Sequence, residues 1–231
     1  DPASGIGPLA MARQRDKVDE MVRVLRRAAE DATAVRVVGA DSGGRSLGDV
    51  RSTLARWGAD VPVGRPGAPP APHEAVPDAA LIAWWLLDRA QIDLTRGFTG
   101  VTGPSPTTPQ VAADDLVVVV ADGPASLAPR APVPEDPRGV DLDVRLGRWL
   151  RDPGELPDPG AAVAEEIGWW SRPAWLVLAD LVDGVAGRRV DGVDEGCRDI
   201  RRLATREQQH MLVRRQGAAE EQRHQGEAAG H

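Results

Sequence analysis

Several residue types are nearly absent from this sequence. The 231 residues include one cysteine, Cys197, no tyrosine, one phenylalanine, Phe98, and one lysine, Lys17. A single cysteine excludes a disulfide within the chain. The seven tryptophans therefore supply nearly all of the aromatic surface that a core or a binding site could use.

Long hydrophobic runs are also missing. The longest apolar segment, Ala79 to Leu87, is about half of the ~20 residues that a membrane-spanning helix needs. Residues 1–15 contain no apolar run behind a basic end, so they do not resemble a secretory signal. We therefore expect a cytoplasmic protein that does not cross a membrane.

The charge balance is acidic. A formal net charge of -7 and a pI near 5.2 argue against a general affinity for the nucleic-acid backbone, which requires clustered cations. The chain is 42% hydrophobic, which is enough for one sizeable core. The sequence predicts a single α/β domain over residues 1–187. It also predicts a polar tail over 188–231, partly helical or disordered, in which apolar anchors are few.

Apolar periodicity predicts the main elements. A helix is expected over Met11 to Ala34, followed by a buried strand over Ala34 to Ala40. The loop Asp41-Ser42-Gly43-Gly44 comes next, where α/β proteins often bind ligands, although a tight turn is favoured over a phosphate site. The run Asp115 to Ala121 is typical of a strand buried on both faces. These two strands are expected to lie side by side or nearly so in a mostly parallel sheet.

The positions of proline and glycine and the helical spacing of apolar residues predict the other segments. No regular element is expected over Val61 to Pro77, and Asp78 is predicted as the N-cap of a helix. The remaining predictions are a helix over Ala79 to Ala90, a loop over Gly100 to Pro109 and helices over Val140 to Leu150, Gly160 to Trp169 and Pro173 to Val185.

Six segments, taken in their order and spacing, resemble one enzyme family. They are Val35 to Val38, ARWGADVPVG (55–64), LIAWWLLDRA (81–90), LVVVVADGPAS (116–126), VDLDVRLGRWLRDP (140–153) and RPAWLVLADLVDG (172–184). Together they cover roughly residues 34–186 and resemble the subunit-B-like branch of the class III extradiol ring-cleavage dioxygenases.

The resemblance implies a three-layer α/β/α domain with an iron site at the carboxyl ends of the strands. Such iron is held by two histidines and a carboxylate, and a further histidine transfers protons. The resemblance places Ser126 where the catalytic histidine would stand, and the first histidine of the chain is His73, in a proline-rich loop. The other three, His210, His224 and His231, lie in the predicted tail. The sequence therefore assigns no catalytic, cofactor-binding or metal-binding residue.

Three functional hypotheses remain. The first is a non-catalytic member of this family, a pseudoenzyme, that binds a small molecule or a protein partner without a cofactor. The alternative is a non-haem Fe(II) oxidoreductase acting on catechol-like aromatics through another ligand set, such as His73 with Asp41 or Asp122. The third is a structural role in which an exposed tryptophan or apolar surface drives homo-oligomerisation.

Other candidate groups have ordinary explanations. Trp84, Trp85, Trp169, Trp170 and Trp175 could form an aromatic wall for a ring-shaped ligand, but core packing is favoured. The carboxylates at 114–115, 165–166, 191 and 194–195 lack the spacing of a calcium loop and are expected on solvated faces. Neither Ser42 nor Ser126 lies in a nucleophile elbow, and Cys197 has no histidine nearby in the sequence.

Overall fold

The computed structural model describes residues 8–129, 131–183 and 210–215, with side chains for 15–129 and 131–183. The described helices are α1 (Pro8–Ala28), α2 (Asp78–Arg89), α3 (Pro137–Trp149), α4 (Ala161–Glu166) and α5 (Arg172–Asp183). The described strands are β1 (Ala34–Ala40), β2 (Ser46–Leu47), β3 (Ser52–Thr53), β4 (Pro62–Val63), β5 (Thr95–Val101), β6 (Asp115–Ala121) and β7 (His210–Arg215).

The main sheet is mixed but mostly parallel at its centre. Its strand order is β2-β5-β1-β6-β7. Strand β1 pairs in parallel with both β5 and β6, and the short β2 and the distant β7 pair antiparallel at the two edges. The predicted neighbouring arrangement of β1 and β6 is confirmed, with Val37 opposite Val118 in the ladder.

Side chains of the central strands alternate between two hydrophobic clusters. Val37 packs in a cluster with residues of α1 and α2, while its neighbour Val38 packs in a cluster with residues of α3, α4 and α5. All seven residues of β6 are buried, as expected for a valine-rich strand at the centre of a sheet. The described chain is therefore an α/β fold.

Strand β5 was missed, and two of its residues were predicted as loop. Its sequence, Thr95 to Val101, contains two glycines and one arginine, so it lacks the apolar run that identified β1 and β6. The last two residues, Gly100 and Val101, were assigned to the following loop. In the structure they pair with Gly39 and Ala40, so the pairing of β5 with β1 continues to the last residue of β1.

Helix starts differ from the prediction by a few residues. Asp78 is the first residue of α2 and not its N-cap, a position that Pro77 occupies. The Asp78 carboxylate pairs with Arg56. Its negative charge also lies in the first turn of α2, where it stabilises the helix by interacting with the positive end of the helix dipole. Helix α3 begins three residues before the predicted Val140, because the Asp136 carboxylate accepts the Arg138 N–H (2.8 Å) and Pro137 starts the first turn.

The proline-rich connector is more ordered than predicted. It contains strand β4 and a 3₁₀ turn over His73–Ala75, and β4 pairs with β3 in a small two-stranded sheet. These elements are only two or three residues long, which is too short to leave a periodic pattern in the sequence.

The described part of the predicted tail is strand β7, which pairs with β6. The rest of the tail, with His224, His231 and Cys197, lies outside the described residues. Within the described part of the chain, no helix combines the length and the apolar character needed to cross a membrane.

Candidate functional site at the carboxyl ends of the strands

The carboxyl ends of β1 and β6 are the first place to look for a site. The two strands are parallel neighbours, so Asp41 after β1 and Asp122 after β6 lie at the same edge of the sheet. Open α/β sheets usually bind ligands at this edge. The two aspartates are nevertheless held in very different ways.

Asp41 is fully engaged by one arginine. Its Oδ1 accepts from Arg45 Nη2 (2.5 Å), and its Oδ2 accepts from Arg45 Nε (3.1 Å) and from the Arg45 backbone N–H (2.8 Å). The hydrogen bonds from Arg45 hold the pKa of the Asp41 carboxyl below its usual range. Both oxygens are therefore committed to closing the loop after β1, and Asp41 is a poor candidate for a metal ligand.

The same loop is pressed against strand β5. A Cβ on Gly100 would lie 2.8 Å from the Asp41 Cβ and 2.8 Å from the Arg45 carbonyl oxygen. The loop itself closes through the Gly44 N–H, which donates to the Asp41 carbonyl (2.9 Å), and Gly44 has a positive φ of 58°. These contacts are those of a tight turn. The sequence favoured this interpretation of Asp41-Ser42-Gly43-Gly44 over a phosphate-binding loop.

Asp122 is fixed through its backbone. Its carbonyl accepts from Ser171 Oγ (2.5 Å) and from Trp175 Nε1 (2.8 Å), and its N–H donates to Ser171 Oγ (3.1 Å). Ser171 directly precedes α5, so these bonds tie the end of β6 to the start of that helix. Burial raises the pKa of the Asp122 carboxyl above its usual range, and a hydrogen bond with Ser171 offsets part of that effect.

The raised pKa of Asp122 has a definite consequence for stability. The folded state retains a proton that the unfolded chain has already released, so the free energy of unfolding falls as pH rises through the raised pKa. We expect Asp122→Asn, which stays neutral, to gain stability relative to the wild type as the pH rises from the ordinary pKa of an aspartate to the raised pKa of Asp122. The gain should be about 1.4 kcal/mol for each unit by which the folded pKa exceeds the unfolded one.

Urea unfolding at several pH values measures this difference. Asp141→Asn is a suitable control, because Asp141 is an exposed aspartate of α3 that pairs with Arg145. A stability difference between Asp122→Asn and the wild type that does not change with pH would contradict the prediction.

Ser126 is a packing residue. Its side chain is completely buried, and its Oγ has no hydrogen-bond partner among the described residues. A Cβ on Gly139, in the first turn of α3, would overlap this Oγ, so the serine lies directly against the helix backbone. The position that the resemblance assigns to a catalytic histidine is therefore filled by a small side chain under α3.

Of the four histidines, the structure describes the side chain of His73 and the backbone of His210. His73 Nε2 lies 3.0 Å from Glu74 Oε1, and its Nδ1 is buried without a partner among the described residues. The fold places His210 at the start of β7, opposite Ala121 in the ladder. Within the described residues, no group of three histidine, cysteine, aspartate or glutamate side chains is arranged to hold a metal ion.

Three of the five tryptophans considered for an aromatic wall pack in the core, and Trp85 is partly exposed. Trp84, Trp169 and Trp175 are almost completely buried. The Trp175 ring lies 6.4 Å from that of Trp169 and 6.1 Å from that of Trp149, measured between centroids. Trp170 differs, because 55% of its surface is exposed.

One carboxylate predicted on a solvated face is buried instead. Asp115, the first residue of β6, is 3% exposed and accepts from Arg36 Nε (3.1 Å) and from the Ala112 N–H (3.1 Å). Its neighbour Asp114 is exposed as predicted and accepts from Thr33 Oγ1 (2.8 Å). The difference arises because the ladder with β1 begins at Asp115 and buries it.

Sequence reasoning missed the residues that hold this edge together. Arg45 follows Asp41 by four residues, a spacing that could have indicated an ion pair, but no local pattern connects Ser171 to Asp122 across 49 residues. Likewise, Arg172 Nε donates to Asp158 Oδ1 (2.7 Å) and its Nη1 donates to the Pro104 carbonyl (2.9 Å), which ties two loops to the start of α5. Such long-range pairs become visible only in the folded chain.

Comparisons of the chain with protein-family models, with curated proteins and with solved structures found no match.

Proposed function

We propose that this chain is a non-catalytic binding domain, a pseudoenzyme of the extradiol dioxygenase type. In this proposal it binds a small molecule or a protein partner in the cytoplasm. The observation that carries it is the state of the carboxyl edge: Asp41 is locked by Arg45, and Ser126 is buried under α3. An iron-dependent enzyme would need histidine and carboxylate side chains that are free to bind the ion at an open site.

The division of the core supports the three-layer α/β/α arrangement that belongs to this proposal. Helix α2 contacts β1 and β6, and its buried residues belong to one hydrophobic cluster. Helix α5 contacts the same two strands, and its buried residues belong to the other cluster. Helices on opposite sides of one mostly parallel sheet are the usual form of such a domain.

The proposal predicts that the protein does not open catechol rings. After anaerobic reconstitution with Fe(II), we expect far less than one iron per chain and no catechol-dependent oxygen uptake, because ligands with committed oxygens hold the ion weakly. Metal quantification and an oxygen electrode measure the two quantities on protein purified without a histidine tag.

Variants identify the ligands if iron binds. Stoichiometric iron that is lost in His73→Ala, Asp41→Asn or Asp122→Asn would overturn the proposal in favour of the Fe(II) oxidoreductase. His210→Ala belongs to the same set, since β7 places residue 210 beside the end of β6. Catechol-induced NMR shifts at the ends of β1 and β6, without oxygen uptake, would support small-molecule binding at this edge.

A further inference from the structure

Exposed apolar side chains are concentrated in one short loop. Among the described residues, the large hydrophobic side chains with substantial exposure are Trp57 (42%), Val61 (41%) and Trp170 (55%). Trp57 and Val61 both lie in residues 54–61, which connect β3 to β4 and are called the hairpin tip below. Scattered single apolar residues are normal on a surface, but two within five residues of one loop need an explanation.

The hairpin tip is internally ordered. Leu54 bonds to both exposed residues: its carbonyl accepts from the Trp57 N–H (3.0 Å), and its N–H donates to the Val61 carbonyl (2.9 Å). Gly58 turns the chain with a φ of 78°, and its N–H donates to the Ala55 carbonyl (2.9 Å). Adjacent, hydrogen-bonded backbone segments therefore carry the two side chains, so little backbone entropy remains to be lost on binding.

The base of the hairpin anchors it to the core. Val63 of β4 is 1% exposed and belongs to the cluster under α2, and Leu54 packs against the same cluster. The Gly64 N–H, directly after β4, donates to Asp88 Oδ2 of α2 (2.8 Å). The tip is thus an apolar projection on a fixed base.

Arg56 supports the Trp57 ring from within the domain. Its guanidinium lies 6.0 Å from the centroid of that ring and donates to the Val76 carbonyl (2.9 Å). It also bonds to the His73 carbonyl and pairs with Asp78, so its charge is already balanced. The charged group that the tip presents outward is Asp60, which is exposed and lies between Trp57 and Val61 in the chain.

We propose that the hairpin tip is a docking site for a protein partner with an apolar pocket for Trp57 and a basic side chain beside that pocket for Asp60. A rigid, supported tryptophan is the usual centre of a protein interface. Residues away from a two-fold axis contact different residues of the second copy, so a homodimer would need the same pocket and basic side chain elsewhere on this chain, and it is one outcome of the test below. The inference deepens the proposed binding role by naming a partner class, and it does not depend on ligand binding at the carboxyl edge.

Selection of peptides tests the chemistry of the partner. The full chain is immobilised, and a display library of random 12-residue peptides is selected on it and counter-selected on Trp57→Ala. We expect the recovered peptides to combine lysine or arginine with apolar residues. Their affinity should fall about 30-fold on Trp57→Ala, as for an interface hot spot, and remain unchanged on Trp170→Ala, the matched exposed tryptophan.

The charge is tested separately with Asp60→Lys, a surface change that should leave thermal unfolding unaltered while weakening the same peptides. Acidic peptides, or peptides whose affinity is equal on the wild type and Trp57→Ala, would overturn this inference and leave the proposed absence of catalysis in place. Sedimentation showing a dimer that Trp57→Ala abolishes would also overturn it, in favour of a second copy as the partner.

Discussion

Replacing Asp88 with alanine is expected to lower the free energy of unfolding by about 3 kcal/mol, the lower end of the range for a buried ion pair, because the Asp88 side chain is 29% exposed. Arg96 of β5 is 2% exposed, and its Nη1 donates to Asp88 Oδ1 (2.6 Å). Without the carboxylate, a guanidinium would remain buried with only the carbonyls of Ile92 (2.8 Å) and Trp84 (3.4 Å) as acceptors. The same carboxylate also accepts the Gly64 N–H, so the base of the hairpin would lose a bond as well.

Urea unfolding of Asp88→Ala measures the effect, and Asp93→Ala is the matched control. The Asp93 carboxylate also pairs with an arginine, Arg65 (2.9 Å), but its side chain is 78% exposed. Solvent screening limits such surface pairs to less than about 1 kcal/mol. Equal losses in the two variants would show that burial of Arg96 does not control the stability of this region.

The Asp88–Arg96 pair also shows where sequence reasoning ends. Strand β5 was not predicted, because Thr95 to Val101 contains an arginine and two glycines. An arginine can be buried in a strand only when a partner balances its charge, and here the partner, Asp88, comes from another element. By contrast, the apolar runs of β1 and β6 required no partner information. Their position, their parallel pairing and the α/β class were predictable from hydrophobic pattern alone.

The sequence was sufficient to predict where the candidate site lies, but not whether its carboxylates are free to bind a ligand. Asp41 and Asp122 follow apolar strands, which is sufficient to place both at the carboxyl edge. Whether each carboxylate is available depends on Arg45 for the first and on Ser171 and burial for the second. The pairing of Asp41 with Arg45 is local, whereas the environment of Asp122 depends on the contact between β6 and α5, which brings residue 171 to residue 122.

The exposed surface required the structure most of all. Trp57 belongs to a segment, residues 55–64, that the sequence linked only to a family resemblance, and the irregular connector was predicted to begin at Val61. The backbone bonds to Leu54 convert that loop into an ordered tip, and the bonds of Arg56 to the 73–78 segment fix the ring that it supports. Periodicity cannot predict such contacts, because they join short segments that lie about 20 residues apart in the chain.

Introducing a histidine at position 126 is expected to destabilise the fold. Ser126 has no exposed surface, and its Oγ lies so close to the Gly139 backbone that even a methyl group on that glycine would overlap it. An imidazole ring is far larger than a hydroxymethyl group. We therefore expect Ser126→His to lower the free energy of unfolding by about 1 to 3 kcal/mol, the usual effect of overpacking a core, through displacement of α3 from β6.

Ser126→Ala is the matched control and should behave in the opposite way. The hydroxyl group of Ser126 has no hydrogen-bond partner among the described residues, so removing it abolishes the desolvation penalty of an unpaired group. We expect Ser126→Ala to be as stable as the wild type or slightly more stable.

Chemical unfolding of the two variants measures the effect of side-chain size at position 126, and Fe(II) quantification on each shows whether the change affects iron binding. A Ser126→His protein that unfolds like the wild type would show that position 126 has room for an imidazole ring, and the packing explanation would then be wrong.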